Sequence, residues 1–257
     1  MNYRNPDELR TLLHDANDVQ IAQMLGVTDR TIRNWRRKFG IEPSSVPNRG
    51  STKYILDRSF FRTIDTPEKA YILGFIAADG CIHQNGKSLS IAITESDVDH
   101  LYAIRDAIGC NNEIHAKAKR SSGYSGGRPL VVLNLCGVEL VRDLAALGIL
   151  PNKVSHLCFP SIPSHLESHL ARGLYDGDGH INDRHFYLVG TTDLISGVQS
   201  SIQLHTGCLL SIRSTTPPSG VSRLVGYRRD RAVLDWMYDS ATIALKRKYE
   251  KYNKFWT

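Results

Sequence analysis

The segments AYILGFIAADG at residues 70–80 and LARGLYDGDG at residues 170–179 share one pattern, and this pattern decides the fold. Each segment is apolar, carries small residues at helical spacing and ends in Asp-Gly. Small residues at this spacing let two helix backbones approach closely, so we expect the segments to form two helices that pack against each other. Asp79 and Asp178 would then meet at the ends of the paired helices.

The chain after each segment alternates between predicted strands and helices. After the first segment, strands are predicted at residues 87–94, 112–119 and 129–136, and helices at residues 97–108 and 137–149. After the second segment, strands are predicted at residues 184–191, 208–215 and 222–229, and helices at residues 193–207 and 230–245. We expect Gly80 and Gly179 to end the two motif helices in the left-handed conformation. A repeat of roughly a hundred residues indicates two halves related by a pseudo-twofold axis.

The composition favours a folded protein with a polyanionic partner. The chain has 257 residues, of which 41% are hydrophobic, so it can bury a substantial core. Its net charge is +6, and basic residues concentrate at residues 28–53 and 241–257. Five scattered cysteines without a CxxC pair indicate reduced thiols and give no zinc signature. Because no signal peptide or bilayer-spanning run is present, we expect a soluble protein in the cytoplasm or on the nucleoid.

The first forty residues contain a pattern typical of DNA-binding domains. In DVQIAQMLGVTDRTIRNWRRKFGI (residues 18–41), Gly26 provides a turn and Thr28 can cap a following helix. This pattern resembles the helix-turn-helix of resolvase-like and phage regulators. The polar face of its second helix would contact DNA through Arg30, Arg33, Asn34, Arg36 and Arg37. The alternative is an ordinary helical hairpin with a solvated basic face.

From about residue 54 to residue 257 the chain resembles a LAGLIDADG homing endonuclease with both motif copies in one chain. IAADG and YDGDG match the ends of the two motifs. The resemblance implies an α+β fold of two αββαββα halves, whose saddle-shaped antiparallel sheets straddle DNA. The expected domains are a helix-turn-helix at residues 1–40, a linker at 41–56, a first half at 57–160 and a second half at 161–257.

The paired aspartates are candidate metal ligands. A carboxylate at a helix C-terminus meets orphan carbonyl groups and is unfavourable without a cation, and Asp79 and Asp178 would share this problem. With the carbonyls of Ala78 and Gly177 they form a hard oxygen set that suits Mg²⁺, with Mn²⁺ as the alternative. The resemblance assigns the metal to the same aspartates. The alternative is that each Asp-Gly only forms a turn.

The two motifs differ at one position, because Ala77 in the first corresponds to Asp176 in the second. This earlier acid is not a metal ligand in the family. The resemblance also implies one basic residue from each half near the cleavage centre, which by position would be Lys153 and Lys248. Lys246 competes with Lys248, and both predicted lysines could be phosphate clamps without a catalytic effect.

Cationic strand faces and the loops beside them are candidate DNA contacts. The outward positions of a half-buried sheet can lie in a DNA groove. The candidates for DNA contact from the two sheets are Lys117, Lys119, Arg120, Arg128, Arg213, Arg223, Tyr227, Arg228 and Arg229. A solvated strand face is the alternative for each of them.

These patterns together predict a Mg²⁺-dependent endodeoxyribonuclease. The resemblance implies that it acts as a monomer on a long, asymmetric double-stranded DNA site and hydrolyses phosphodiester bonds to leave a staggered break. Two alternatives stay open: a non-cleaving DNA-binding transcription regulator with the same fold, and an RNA splicing maturase. The presence of both aspartates favours the nuclease.

Overall fold

The computed structural model describes residues 2–44, 54–117, 128–152, 156–214 and 220–256. The chain divides into two compact units, Met1–Tyr54 and Ile55–Thr257. The finer borders expected from the sequence, at residues 40, 56 and 160, stay predictions. In the described part of the chain, no helix is both long and apolar enough to cross a membrane.

The first unit is a bundle of three short helices, α1 (Pro6–Asp15), α2 (Asp18–Leu25) and α3 (Asp29–Lys38). The turn between α2 and α3 forms as the sequence predicts. Gly26 ends α2 with φ at 65°, a conformation that glycine adopts without strain, and the Thr28 side chain accepts from the amide of Thr31. The core of this unit includes the fully buried side chains Leu9, Ile21 and Ile32.

The second unit is organised around the two motif helices, α4 (Pro67–Asp79) and α7 (Glu167–Asp178). These helices contact each other backbone to backbone. A Cβ atom on Gly74 would lie 2.2 Å from the carbonyl oxygen of Leu170, and a Cβ atom on Gly173 would lie 2.0 Å from that of Tyr71. Only glycine fits at these two positions, which confirms the close packing that the small residues predict.

Each motif helix leads directly into a short strand, which the sequence patterns did not reveal. The strands are β1 (Gly80–Ile82) and β5 (Gly179–Ile181). The expected left-handed ends of the helices are therefore wrong, because Gly80 (φ −73°, ψ 148°) and Gly179 (φ −91°, ψ 165°) are extended. Glycine is needed here for space instead: a Cβ atom on Gly80 would lie 2.6 Å from the carbonyl oxygen of Ile76.

The second unit contains two four-stranded antiparallel sheets with the same strand order. The first has the order β1-β2-β4-β3 and is completed by β2 (Ser88–Thr94), β3 (Ile114–Lys117) and β4 (Leu130–Cys136). The second has the order β5-β6-β8-β7 and is completed by β6 (His185–Thr191), β7 (Ser211–Ser214) and β8 (Val221–Tyr227). The internal repeat is therefore present in the topology.

The remaining helices complete the two halves. The first half carries α5 (Val98–Ala107) and α6 (Val138–Ala146), and the second carries α8 (Thr192–Thr206) and α9 (Arg231–Tyr238). Each half is αββαββα, so the predicted α+β architecture is confirmed. The helix expected at 230–245 ends early, at Tyr238. A further helix, α10 (Lys246–Phe255), follows it and was not predicted.

Candidate functional site

The predicted metal aspartates end the two motif helices at a common point. Asp79 is the last residue of α4 and Asp178 the last of α7, and both are solvent-exposed. The ends lie against each other, since a Cβ atom on Gly177 would be 2.3 Å from the Cβ of Ala78 and 3.4 Å from Oδ2 of Asp79. Two carboxylates and the last carbonyl groups of two helices therefore converge, which makes the local potential negative.

The chemistry of this donor set fits a small, hard cation. Carboxylate and carbonyl oxygens are the ligands that Mg²⁺ takes, and it usually keeps several waters or phosphate oxygens as well. Among the described residues there is no cluster of three or more His, Cys, Asp or Glu side chains that could hold a metal. The protein would therefore supply few side-chain ligands here, and the remainder would come from backbone, phosphate and water.

Lys248 lies at the same helix ends. It belongs to the first turn of α10, is 2% exposed, and donates from Nζ to the carbonyl oxygens of Tyr175 (2.6 Å) and Asp176 (2.8 Å). Burial lowers the pKa of Lys248 to about 8, while the carboxylates of Asp176, Asp79 and Asp178 oppose this shift.

The other two candidate lysines have different positions. Lys246, the competitor of Lys248, is exposed. Lys153, the candidate from the first half, lies outside the described residues.

Asp176, which the sequence treats as an unmatched acid, is buried at 1% exposure. Three groups donate to its carboxylate, each at a distance of 2.7 Å: the hydroxyls of Tyr71 and Tyr238, and the backbone N–H of Leu245. Ala77, at the corresponding position of α4, has no side-chain acceptor for such donors. The difference between the two motifs therefore corresponds to this one buried cluster. Sequence analysis missed Tyr71 and Tyr238. The available signal was an aspartate inside an apolar helix, which needs buried donors.

A buried arginine lies one turn before this aspartate on α7. Arg172 has no exposed surface and donates to the carbonyl oxygens of Met237 (2.7 Å) and Ile243 (2.9 Å). Its guanidinium carbon lies 5.1 Å from the centroid of the Tyr71 ring. Burial lowers the pKa of Arg172, and Tyr71 and Asp176 oppose this shift. The motif helix therefore holds α9 and the segment after it through both a buried cation and a buried anion.

Two arginines face each other on the second sheet. Arg213 in β7 and Arg223 in β8 are direct cross-strand partners, and both are exposed. Arg213 donates from Nη2 to the Tyr227 hydroxyl (2.8 Å), and the Arg223 guanidinium carbon lies 4.4 Å from the centroid of the Tyr187 ring. Like charges directly opposite are unfavourable in a sheet. Neither arginine has a carboxylate within ion-pair distance among the residues that the structure describes.

Aromatic and histidine rings extend this surface towards the motif helices. His180 in β5 pairs with Tyr187 in β6, and their rings stack with centroids 5.0 Å apart. The His185 ring also stacks with Tyr187, with centroids 6.0 Å apart, and lies 6.2 Å from the His180 ring, so the three rings form one cluster. Burial and the neighbouring cations, Lys251 first, lower the pKa of His180. Sequence analysis missed these three rings, although the alternation in residues 184–191 gives His185 and Tyr187 one face.

The remaining sheet candidates differ in what they contact. Arg228 donates to the carbonyl oxygens of Asp183 (2.9 Å) and Phe255 and lies over the Trp256 ring, so it fastens the end of α10. Arg229 is exposed, as is Arg128 before β4. Lys117 ends β3 opposite Leu130. The predicted contacts Lys119 and Arg120 lie outside the described residues.

Four of the five candidates on α3 form one exposed basic surface. Arg30, Arg33, Asn34 and Arg37 line a shared concavity. Arg36 does not belong to it: it is 9% exposed, lies 3.3 Å from a carboxylate oxygen of Asp18 and donates to the carbonyl of Ile41. Arg36 therefore fastens α3 to α2, and we leave it out of the proposed DNA contacts.

Family models match two parts of the chain. Residues 19–56 match the MerR helix-turn-helix family of regulatory proteins, which confirms the predicted helix-turn-helix. Residues 66–147 match the LAGLIDADG-like domain, which confirms the predicted resemblance. The comparison with curated proteins found no match.

Solved structures match the larger part of the chain. The homing endonuclease I-DmoI in complex with DNA and Ca is 13% identical, with a TM-score of 0.51, over 73% of this chain and 97% of that one. Full-length DUF199/WhiA from Thermatoga maritima is 13% identical, with a TM-score of 0.49, over 77% of this chain; this chain spans only 63% of its length. The meganuclease I-SmaMI bound to uncleavable DNA is 12% identical, with a TM-score of 0.49, over 74% and 89% of the two chains. At such identities the I-DmoI match supports the fold alone.

Proposed function

We propose that this chain, which carries a LAGLIDADG-like domain, is a site-specific endonuclease that hydrolyses phosphodiester bonds in double-stranded DNA and leaves a staggered break. The observation that carries the proposal is the convergence of Asp79 and Asp178 at the paired ends of α4 and α7, with the buried ammonium of Lys248 beside them. Carboxylates that can hold a metal ion, with a buried cation beside them, can stabilise the charge that develops in phosphodiester hydrolysis.

Asp79, Asp178 and the carbonyls of Ala78 and Gly177 would hold Mg²⁺, with Mn²⁺ as the alternative. When bound, such an ion polarises a phosphate oxygen and lowers the pKa of a bound water. Without it, the two carboxylates would repel a phosphate at this point. Lys248 offsets part of that repulsion and, below its pKa of about 8, offers an ammonium for charge that develops on the phosphate oxygens. We retain Lys153 as the corresponding candidate from the first half.

The two sheets would bind the DNA on either side of this centre. The second sheet presents Arg213, Arg223 and Tyr227, whereas β2 and β4 of the first present Ala92 and Asn134, and its predicted cationic contact Lys117 lies at the end of β3. Because these faces differ chemically, we propose that one copy of the chain binds a long, asymmetric site. We further propose that Arg30, Arg33, Asn34 and Arg37 of the helix-turn-helix contact DNA beyond it.

The test is cleavage of a library of random-sequence duplexes with Mg²⁺, followed by sequencing of the cut ends. We expect one enriched site with staggered ends. Asp79→Asn and Asp178→Asn should each bind the same site and cut it at least about a hundredfold more slowly, as expected when a group that stabilises the transition state is lost. If either variant cuts as fast as the parent, the proposed role of these aspartates is wrong.

A DNA-binding regulator is the second candidate, and the exposed basic surface of α3 favours it. The same library separates the two. Selective binding without any cut ends, in Mg²⁺ and in Mn²⁺, would support the regulator and reject the nuclease.

A further inference from the structure

A cluster of buried polar groups joins the two halves near the proposed centre, around the earlier acid that only the second motif carries. Its middle is Asp176, and its donors come from three separate elements: Tyr71 from the motif helix of the first half, Tyr238 from α9, and Leu245 immediately before α10. Desolvation of a carboxylate is costly, so a buried one is retained where several donors compensate for it. All three donate to this one side chain.

The contact with Leu245 determines where α10 begins. Leu245 is the N-cap residue of α10, and its own side chain makes no capping hydrogen bond. Its N–H is instead donated to Oδ2 of Asp176, from a different helix. A carboxylate beside a helix N-terminus is also favoured by the helix dipole. Asp176 thus acts as an anchor for the first turn of α10.

Lys248 is in that first turn, and it returns the contact. Its ammonium donates to the carbonyl oxygens of Tyr175 and Asp176 in the last turn of α7, and the Tyr175 carbonyl also accepts from the N–H of Gly179. The Asp176 side chain therefore accepts a hydrogen bond from the N-cap residue of α10, and the Asp176 carbonyl accepts one from Lys248. A shift in the start of α10 would move Lys248 away from Asp79 and Asp178.

We infer that Asp176, oriented by Tyr71 and Tyr238, is a positioning residue that holds the Lys248 ammonium beside the paired carboxylates. The inference rests on the proposed nuclease function. Asp176 positions a lysine in the second half, whereas Ala77, at the corresponding position of the first half, has no carboxylate with which to do so. Tyr71 extends the link across the interface, since its hydroxyl also lies 3.0 Å from Nε2 of His100 in α5.

Two neighbouring tyrosines provide a matched pair of variants. The rings of Tyr238 and Tyr252 stack at 5.1 Å, and both hydroxyls donate to aspartates. Tyr238 donates to Asp176, whereas Tyr252 donates to Asp235 and Asp239. Tyr238→Phe and Tyr252→Phe therefore make the same chemical change, and only the first removes a hydrogen bond to Asp176.

The first measurement is the rate at which an amine-acylating reagent modifies Lys248 in the full chain, with exposed Lys246 as the internal reference and peptide mass spectrometry as the readout. We expect Asp176→Asn to raise the relative rate for Lys248 about tenfold and Tyr238→Phe a few-fold, since each loses a buried hydrogen bond. Tyr252→Phe should stay close to the parent. Circular dichroism confirms that each variant is folded.

The second measurement is single-turnover cleavage at saturating DNA, alongside DNA affinity in EDTA. Asp176→Asn should lose about tenfold or more in rate, with the affinity within about twofold. The inference is overturned if the Asp176→Asn and Tyr238→Phe proteins are folded and their Lys248 is acylated as slowly as in the parent. It is also overturned if weaker DNA binding explains the whole loss of cleavage rate. If the parent binds DNA but does not cut it, the proposed function fails, and the acylation rates still decide whether Asp176 positions Lys248.

Discussion

Gly173 lies so close to Tyr71 that a Cβ atom on the glycine would be 2.0 Å from the tyrosine carbonyl oxygen. The backbone fixes the position of a Cβ atom and the carbonyl oxygen is itself backbone, so no side-chain rotation can relieve the clash. We expect Gly173→Ala to force α4 and α7 apart and to lower the free energy of unfolding by about 3 kcal/mol or more, at the upper end of overpacking effects. Urea denaturation monitored by circular dichroism measures this change.

Ser196→Ala on the exposed surface of α8 is the control for Gly173→Ala, and it should change the free energy of unfolding by less than about 0.5 kcal/mol. A Gly173→Ala protein as stable as this control would mean that the two motif helices are not in backbone contact.

The sequence predicted the motif helices and the two-half topology because both rest on strong periodic signals. Glycine and alanine at helical spacing have few explanations other than close packing, and the alternation in residues 87–94 leaves little doubt about which face is buried. The same patterns predicted the turn at Gly26. These features are local in sequence, so a single chain is sufficient to recognise them.

The parts that sequence analysis missed depend on contacts between distant segments. The strand β1 is three residues long, too short to show alternation. Residues 246–255 look like a basic surface patch, and α10 becomes recognisable only when Lys248 is seen capping α7. Asp176 looked like an extra acid because its partners Tyr238 and Leu245 lie more than sixty residues away. Similarly, Arg36 matched its basic neighbours until its ion pair with Asp18 was visible.

The paired arginines of the second sheet lead to a prediction about base preference. Arg213 and Arg223 are opposite each other and each is held by a tyrosine, which reduces the rotamer freedom lost on binding. Arginine binds guanine through two acceptors in the major groove. We expect Arg213→Ala and Arg223→Ala each to relax a guanine preference at one of two neighbouring positions, at a cost of about 1–3 kcal/mol in binding. Binding to all single-base variants of the selected site measures this.

Arg229→Ala is the matched control for the paired arginines, since Arg229 is exposed in the segment after β8 and does not belong to the pair. Uniform weakening across all sites, with a salt slope smaller by about one for each arginine removed, would show instead that Arg213 and Arg223 contact phosphates.

The lowered pKa of Lys248 gives a pH dependence. In the folded protein the ammonium is present below about pH 8 and is lost above it, whereas an unperturbed lysine stays charged to about pH 10. If the charge assists cleavage, the advantage of the parent over Lys248→Met should be largest below pH 8. It should fall about tenfold per pH unit above pH 8.

The ratio of the two single-turnover rates, from pH 6.5 to pH 9.5, isolates the Lys248 effect from the general rise of hydrolysis with pH. Lys246→Met serves as the control and should give a flat ratio. A ratio for Lys248→Met that stays constant through pH 8 would show that the Lys248 charge has no role in the reaction.

The helix-turn-helix unit has its own hydrophobic core, formed by residues such as Leu9, Ile21 and Ile32, so the rest of the chain should fold without it. We expect a chain lacking residues 1–44 to retain its thermal unfolding transition and its cleavage site, but to bind DNA more weakly and give a shorter footprint.

The double variant Arg33→Ala/Asn34→Ala should reproduce the shorter footprint in the intact chain, because both side chains lie on the exposed surface of α3. Arg36→Ala should instead lower the stability of the first unit, since it leaves Asp18 without its buried partner. A footprint of unchanged length in the deletion would mean that this unit binds something other than the DNA next to the cleavage site.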